Sequence, residues 1–162
     1  MLDFKRHRGT VIVDTPKGIL VVSYNGRTFY LPGGGAEKGE SRKDAAIREL
    51  KEETSLETVA CSFLFEYESL TNNHKVFLIE STGVAKPSSE IRFIDYFNGS
   101  NLKVSTATWE ILEQYHATKV TKKLPWQLWQ DAKNCCILIW SRTSMALTLF
   151  HFWLLCSKTP RR

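Results

Sequence analysis

The feature that most constrains this chain is the run from Gly34 to Leu56, GGAEKGESRKDAAIRELKEETSL. A glycine turn is followed by Glu40 and then by Arg48, Glu49, Glu52 and Glu53 at the end of an expected helix. At 3.6 residues per turn, Glu49, Glu52 and Glu53 stand at i, i+3 and i+4 and project from one side within about one turn. Like charges at this spacing cost an isolated helix a few tenths of a kcal/mol per pair, so the cluster needs a cation. An all-oxygen set without His or Cys suits a hard ion, Mg2+ first and Mn2+ second, which bridges carboxylates to substrate phosphates.

Local signals specify the helix itself. Ser41 followed three residues later by Asp44 makes a start like a capping box, and Ala45, Ala46, Ile47 and Leu50 supply an apolar side. Upstream, Pro32 and the glycines Gly33, Gly34 and Gly35 let the backbone turn tightly and approach a ligand without side-chain obstruction.

The segment resembles the signature of the Nudix hydrolases, G-x5-E-x7-R-E-U-x-E-E-x-G-U, where U is a bulky aliphatic residue. Gly34, Glu40, Arg48, Glu49, Leu50, Glu52, Glu53 and Leu56 fall in register. Ser55 departs, standing where the family has glycine just beyond the helix, a place that often requires the left-handed conformation. The resemblance implies an α/β fold, a Nudix-like α/β/α sandwich with a mixed β-sheet, over roughly residues 5 to 117. It also implies Glu52 and Glu53 as principal metal ligands, with the carbonyl of Gly33 a candidate to complete the shell. Glu49 is then a ligand or the base that activates water, and Arg48 orients it. Glu40 supports this arrangement or binds a further ion. Glu90-Ile91 and Tyr96-Phe97 look like the family's later Glu-Ile and aromatic pairs, which makes Glu90 the candidate carboxylate outside the motif, ahead of Glu66, Glu68 and Glu80.

The rest of the chain reads as strands around that helix. Thr10 to Asp14 and Ile19 to Tyr24 flank a Pro16-Lys17-Gly18 turn, and Asn25-Gly26 signals a hairpin into Arg27 to Leu31. Cys61 to Glu68 and Lys75 to Glu80 have strand composition, with Thr71, Asn72 and Asn73 as the turn between them. Ser105 to Tyr115 reads as a helix capped by Ser105, with Trp109, Ile111 and Leu112 available for the core.

A length of 162 residues with 43% hydrophobic content suits one ordinary core plus an appendage. The expected division is a catalytic domain over 1–123 and a hydrophobic C-terminal extension over 124–162. The net charge of +5 favours polyanionic partners such as nucleotides, RNA or acidic membrane surfaces. Cys61, Cys135, Cys136 and Cys156 show no metal-binding spacing and read as reduced thiols, and the N-terminus lacks a signal-like apolar run, so a cytoplasmic setting is expected. Arg6, His7 and Arg8 form a small basic cluster that is either solvated or a phosphate contact. Tyr24, Phe29 and Tyr30 are candidates for core packing or for stacking on a base. His74 and His116 read as surface or internally satisfied residues.

From Cys135 to Cys156 the chain is mostly apolar, but Ser141-Arg142-Thr143-Ser144 interrupts the run, and a central Arg costs about 2.5 to 3.5 kcal/mol on insertion scales. Three readings stay open for this tail: docking on the domain or on a partner subunit of a homo-oligomer, a membrane contact, or a poorly folded extension. The resemblance implies a Mg2+-dependent hydrolase cleaving the pyrophosphate linkage of a nucleoside diphosphate joined to another moiety, with a nucleotide-sensing module of the same fold as the alternative.

Overall fold

The first strand divides the core between two helices. β1 (Arg6–Ile12) starts charged and ends apolar, and successive side chains of a strand point to opposite faces. Val11 and Val13 pack in one cluster with Leu20, Phe77, Ile79 and the helical residues Ala46 and Leu50. Ile12 lies in another, with Ile19, Val21, Val76 and Phe97, closed by Ile111, Leu112 and Tyr115. The fold therefore has a helix on each face of its β layer, the sandwich expected from the motif. This computed structural model describes residues 5–99 and 101–119. Met1–His116 form one compact unit. Of the second unit, Ala117–Arg162, residues 117–119 are described and are helical.

In chain order the remaining elements are β2 (Asp14–Thr15), β3 (Gly18–Ser23), β4 (Gly33–Gly35), α1 (Arg42–Thr54), β5 (Glu57–Glu68), β6 (Asn72–Thr82), β7 (Phe93–Phe97) and α2 (106–119). One sheet has the order β4-β1-β6-β5 and is mixed, because β1 runs parallel to β6 while the other pairs are antiparallel. The second sheet, β2-β3-β7, is antiparallel. The parallel β1–β6 pair is possible because a long crossover containing α1 separates the two strands.

Several expectations change in detail. Arg27 to Leu31 does not form a strand: Val22 and Tyr30 make an isolated antiparallel bridge, and the loop between them is wider than a two-residue turn. The reason is Ser23, whose Oγ donates to the Thr28 carbonyl and accepts from the N–H groups of Asn25 and Gly26, so side-chain bonds shape the loop instead of a ladder. The turn before β6 falls at Ser69 to Thr71, and Asn72 and Asn73 already belong to the strand. Ser105 does cap α2, accepting from Thr108 N at 3.2 Å. Trp109, expected in the core, is 44% exposed and rests edge-on against Phe97. Cys61 is a free, half-buried thiol.

The extension 124–162, with its three cysteines and its apolar run, lies outside the described residues. Among the described residues no helix is long and apolar enough to cross a membrane.

Candidate active site

Both ends of α1 are tied down, which fixes the direction of its acidic side. At the start, Ser41 Oγ accepts from Asp44 N at 3.1 Å and donates to the Asp44 carboxylate at 2.7 Å. At the exit, Ser55 adopts the left-handed conformation, φ 61°, and its N–H reaches the Lys51 carbonyl at 2.8 Å. The last turn of a helix leaves carbonyls without partners. Here the loop after β6 supplies them, since Lys86 N donates to Thr54 O at 2.9 Å and Ser88 N to Glu53 O at 3.1 Å. That loop carries Glu90, whose charge consequently acts on Glu53.

Arg48 is the hub of the acidic face. Its Nε and Nη2 grip the Glu40 carboxylate at 2.9 and 3.1 Å, and its Nη1 reaches Glu49 at 3.0 Å and Glu52 at 3.1 Å. Nη2 also meets the Gly35 carbonyl at 3.3 Å. The Arg48 hydrogen bonds hold Glu40 below the usual carboxylate range. Repulsion among the clustered glutamates is thus relieved in part by a guanidinium from their own helix. Among the described residues no three His, Cys, Asp or Glu side chains converge on one point as metal ligands would.

Glu53 differs from its neighbours because it is buried, 4% exposed. Burial pushes its carboxyl up to about 7, with Glu49 and Glu90 adding to the rise, while a hydrogen bond from Gly33 N at 3.0 Å and the charge of Arg8 oppose it. The Gly33 carbonyl in turn accepts from Arg8. Gly34 lies directly under Glu49: a β-carbon there would stand 2.0 Å from its Oε1, so the carboxylate rests against bare backbone that only glycine provides. Glu49, Glu52, Glu53 and the Gly33 carbonyl are all hard oxygen donors, and a buried carboxylate opposed by so little positive charge gains from a cation. Oxygen donors of this type are those a divalent ion such as Mg2+ takes, although the three carboxylates do not converge on one point here.

On the other side of Arg8 a cleft of about 970 Å³ opens between β1, the β5–β6 turn and the start of α2. Tyr24 and Tyr30 stand at its mouth with ring centroids 5.9 Å apart, both more than a third exposed. His74 lines its wall and is buried, not on the surface: its Nδ1 meets Thr10 Oγ1 at 2.9 Å and its Nε2 meets Ser69 Oγ at 3.2 Å. Burial, helped by the charge of Arg8, presses its imidazole down to about 4, so it is neutral. Glu66 and Glu68 are engaged elsewhere, with Arg42 and Lys5, and Glu80 is exposed on β6.

Tyr24 joins the site in a way the sequence did not indicate. Its phenol is raised above the usual tyrosine range by burial first and then by the charges of Glu53 and Glu90. The sequence offers Tyr24 for core packing or base stacking and Arg8 for a solvated or phosphate-contacting cluster, but not their place near Gly33 and Glu53. The placement of Arg8 follows from β1 pairing with β4, which sets Arg8 opposite Gly35 and Thr10 opposite Gly33.

Comparison with known proteins agrees with this geometry. A family model described as the NUDIX domain matches residues 3–124. Among solved structures, one assigned to the nudix hydrolase family from Chromobacterium violaceum superposes with a TM-score of 0.70 at 28% identity, covering 87% of this chain and 97% of that one. MutT from Aliivibrio salmonicida and Vibrio cholerae gives a TM-score of 0.57 at 19% identity, covering 67% and 93%. An ADP-ribose pyrophosphatase from Streptococcus suis gives 0.52 at 21% identity, covering 64% and 81%. The search of curated proteins found no match. The family match takes in both helices' core contacts and every motif residue from Gly34 to Leu56, and the chain belongs to the Nudix hydrolase family.

Proposed function

We propose that the chain is a Mg2+-dependent pyrophosphohydrolase acting on a nucleoside diphosphate linked to another moiety, with Mn2+ able to replace Mg2+. The observation that carries this reading is the buried Glu53 carboxylate of α1, held by Gly33 N, whose own carbonyl accepts from the cleft residue Arg8. Glu49, Glu52, Glu53 and the Gly33 carbonyl would hold the ion, whose contribution is to neutralise the diphosphate and the departing phosphate.

The chain's own residues account for the remaining work. Glu49, fixed by Arg48 and lying on bare Gly34, is in position to take a proton from an attacking water, and Glu90 is the alternative base from outside the motif. Glu40 holds Arg48 and thereby keeps Glu49 in place. Tyr24 and Tyr30 offer aromatic faces for a base at the cleft mouth.

Residues 1–123 form the catalytic domain in this reading and 124–162 an appendage. The support is that the family match ends at residue 124. A reducing, cytoplasmic setting is included, supported by the free Cys61 thiol.

A turnover screen over nucleoside diphosphate derivatives, with and without Mg2+ and with product phosphates identified, tests the proposal. The wild-type chain is expected to turn over at least one substrate only with the metal, and Glu53→Gln to lose about a hundredfold or more of that rate. Unchanged turnover in Glu53→Gln would sink the mechanism. Nucleotide binding without turnover would favour the sensing module.

A further inference from the structure

Arg8 stands where the cleft meets the acidic face. It is half buried near the middle of β1, just before the strand turns apolar. A guanidinium carries five N–H donors in a planar fork. Arg8 uses Nη2 on the Gly33 carbonyl, and its other donors meet no acceptor among the described residues. It lines the cleft with Tyr24 and His74, and the Gly33 carbonyl it holds belongs to the residue whose N–H donates to Glu53.

The other charged groups of the cleft are already engaged. Lys5 pairs with Glu68 at 3.1 Å, and Glu110 accepts from Tyr67. His74 is held between two hydroxyls. Of the two lining cations, Lys5 and Arg8, Arg8 is the one with no protein carboxylate hydrogen-bonded to it among the described residues. A half-buried guanidinium in that state suits a planar, bidentate anion, and phosphate matches its fork.

We propose that Arg8 is a substrate-binding residue that holds the phosphate adjoining the nucleoside. It thereby sets the scissile linkage against α1 while the nucleoside occupies the Tyr24 and Tyr30 side of the cleft. This deepens the hydrolase reading and rests on it. It specifies that the substrate brings a phosphate on its nucleoside side, neutralised by the protein itself. The bond from Arg8 to Gly33 then links substrate binding to the backbone segment that holds Glu53.

The test is calorimetric titration of the full chain in EDTA with the four ribonucleoside 5′-monophosphates and, separately, with their nucleosides. At least one monophosphate is expected to bind about tenfold or more tightly than its nucleoside, with an affinity that falls as salt rises. Arg8→Gln is expected to erase that difference while leaving nucleoside affinity within about twofold, and Arg8→Lys to retain part of it. Equal losses for nucleoside and monophosphate, an unchanged preference in Arg8→Gln, or no preference in the wild-type chain would each overturn the proposal. If Arg8→Gln binds as wild type while turnover still depends on Glu53, only the anchor fails. If monophosphate binding depends on Arg8 but no derivative is hydrolysed, the anchor stands and the hydrolase reading fails.

Discussion

Ser55 shows how one residue can depart from a family pattern while the backbone keeps it. It holds φ at 61°, the conformation for which the family's glycine is suited, and its N–H still reaches Lys51 O. A side chain in that region costs about 1 kcal/mol or more, of which a few tenths return through the smaller entropy of the unfolded chain compared with glycine. Ser55→Gly is therefore expected to stabilise the fold by about 0.5 to 1 kcal/mol, seen as a higher urea midpoint with unchanged slope. A lower midpoint would mean that the serine side chain makes a compensating bond. The left-handed exit was legible because the motif's glycine announces it. Arg8 was legible only as part of a basic cluster, solvated or a phosphate contact; its place beside Gly33 depends on a strand partner that local sequence does not identify.

At the scale of elements, α1 was the most legible because three independent signals agree on it. The Ser41 cap, the apolar positions Ala45, Ala46 and Leu50, and the spacing of the glutamates all describe one amphipathic helix, and those apolar residues are fully buried. The segment Arg27 to Leu31 was misread because β propensity and Asn25-Gly26 suggest a tight hairpin, whereas Ser23 captures the turn's N–H groups. Trp109 was misread for another reason: hydrophobicity places a residue on a helix without saying which way it faces. Ile111, Leu112 and Tyr115 take the core face of α2, leaving Trp109 at its edge. The loop after β6 was read for Glu90 alone. Its backbone also closes the end of α1, and that is what brings Glu90 to Glu53.

At the scale of the whole molecule, two buried titrating groups set opposing pH dependences. Glu53 rises from 4.5 to about 7, so the folded protein keeps a proton that the unfolded chain has released. Its contribution to stability is fully present below about 4.5 and is lost as the pH rises through 7. His74 falls from 6.5 to about 4, so its contribution is present above 6.5 and lost as the pH drops through 4. Each effect is on the order of 3 kcal/mol, and their slopes oppose each other where the two ranges overlap. Denaturant melts in EDTA across the mildly acidic range should thus show a nearly flat profile for the wild-type chain. Stability should rise with pH in Glu53→Gln and fall with pH in His74→Asn; parallel profiles in all three would contradict the opposing assignments.

The family and the sandwich were legible from the motif, whereas the cleft beside it was not, because the cleft is assembled from β1, the β5–β6 turn and α2. The central claim of the proposed function is that the acidic face of α1 serves as a cation platform, with the buried Glu53 among its ligands. Mn2+ binding followed by electron paramagnetic resonance, in the absence of substrate, tests that claim most directly. The wild-type chain is expected to bind Mn2+ and to release it to competing Mg2+, and Glu53→Gln to bind about tenfold or more weakly. Equal Mn2+ affinity in the two proteins would contradict a metal role for Glu53.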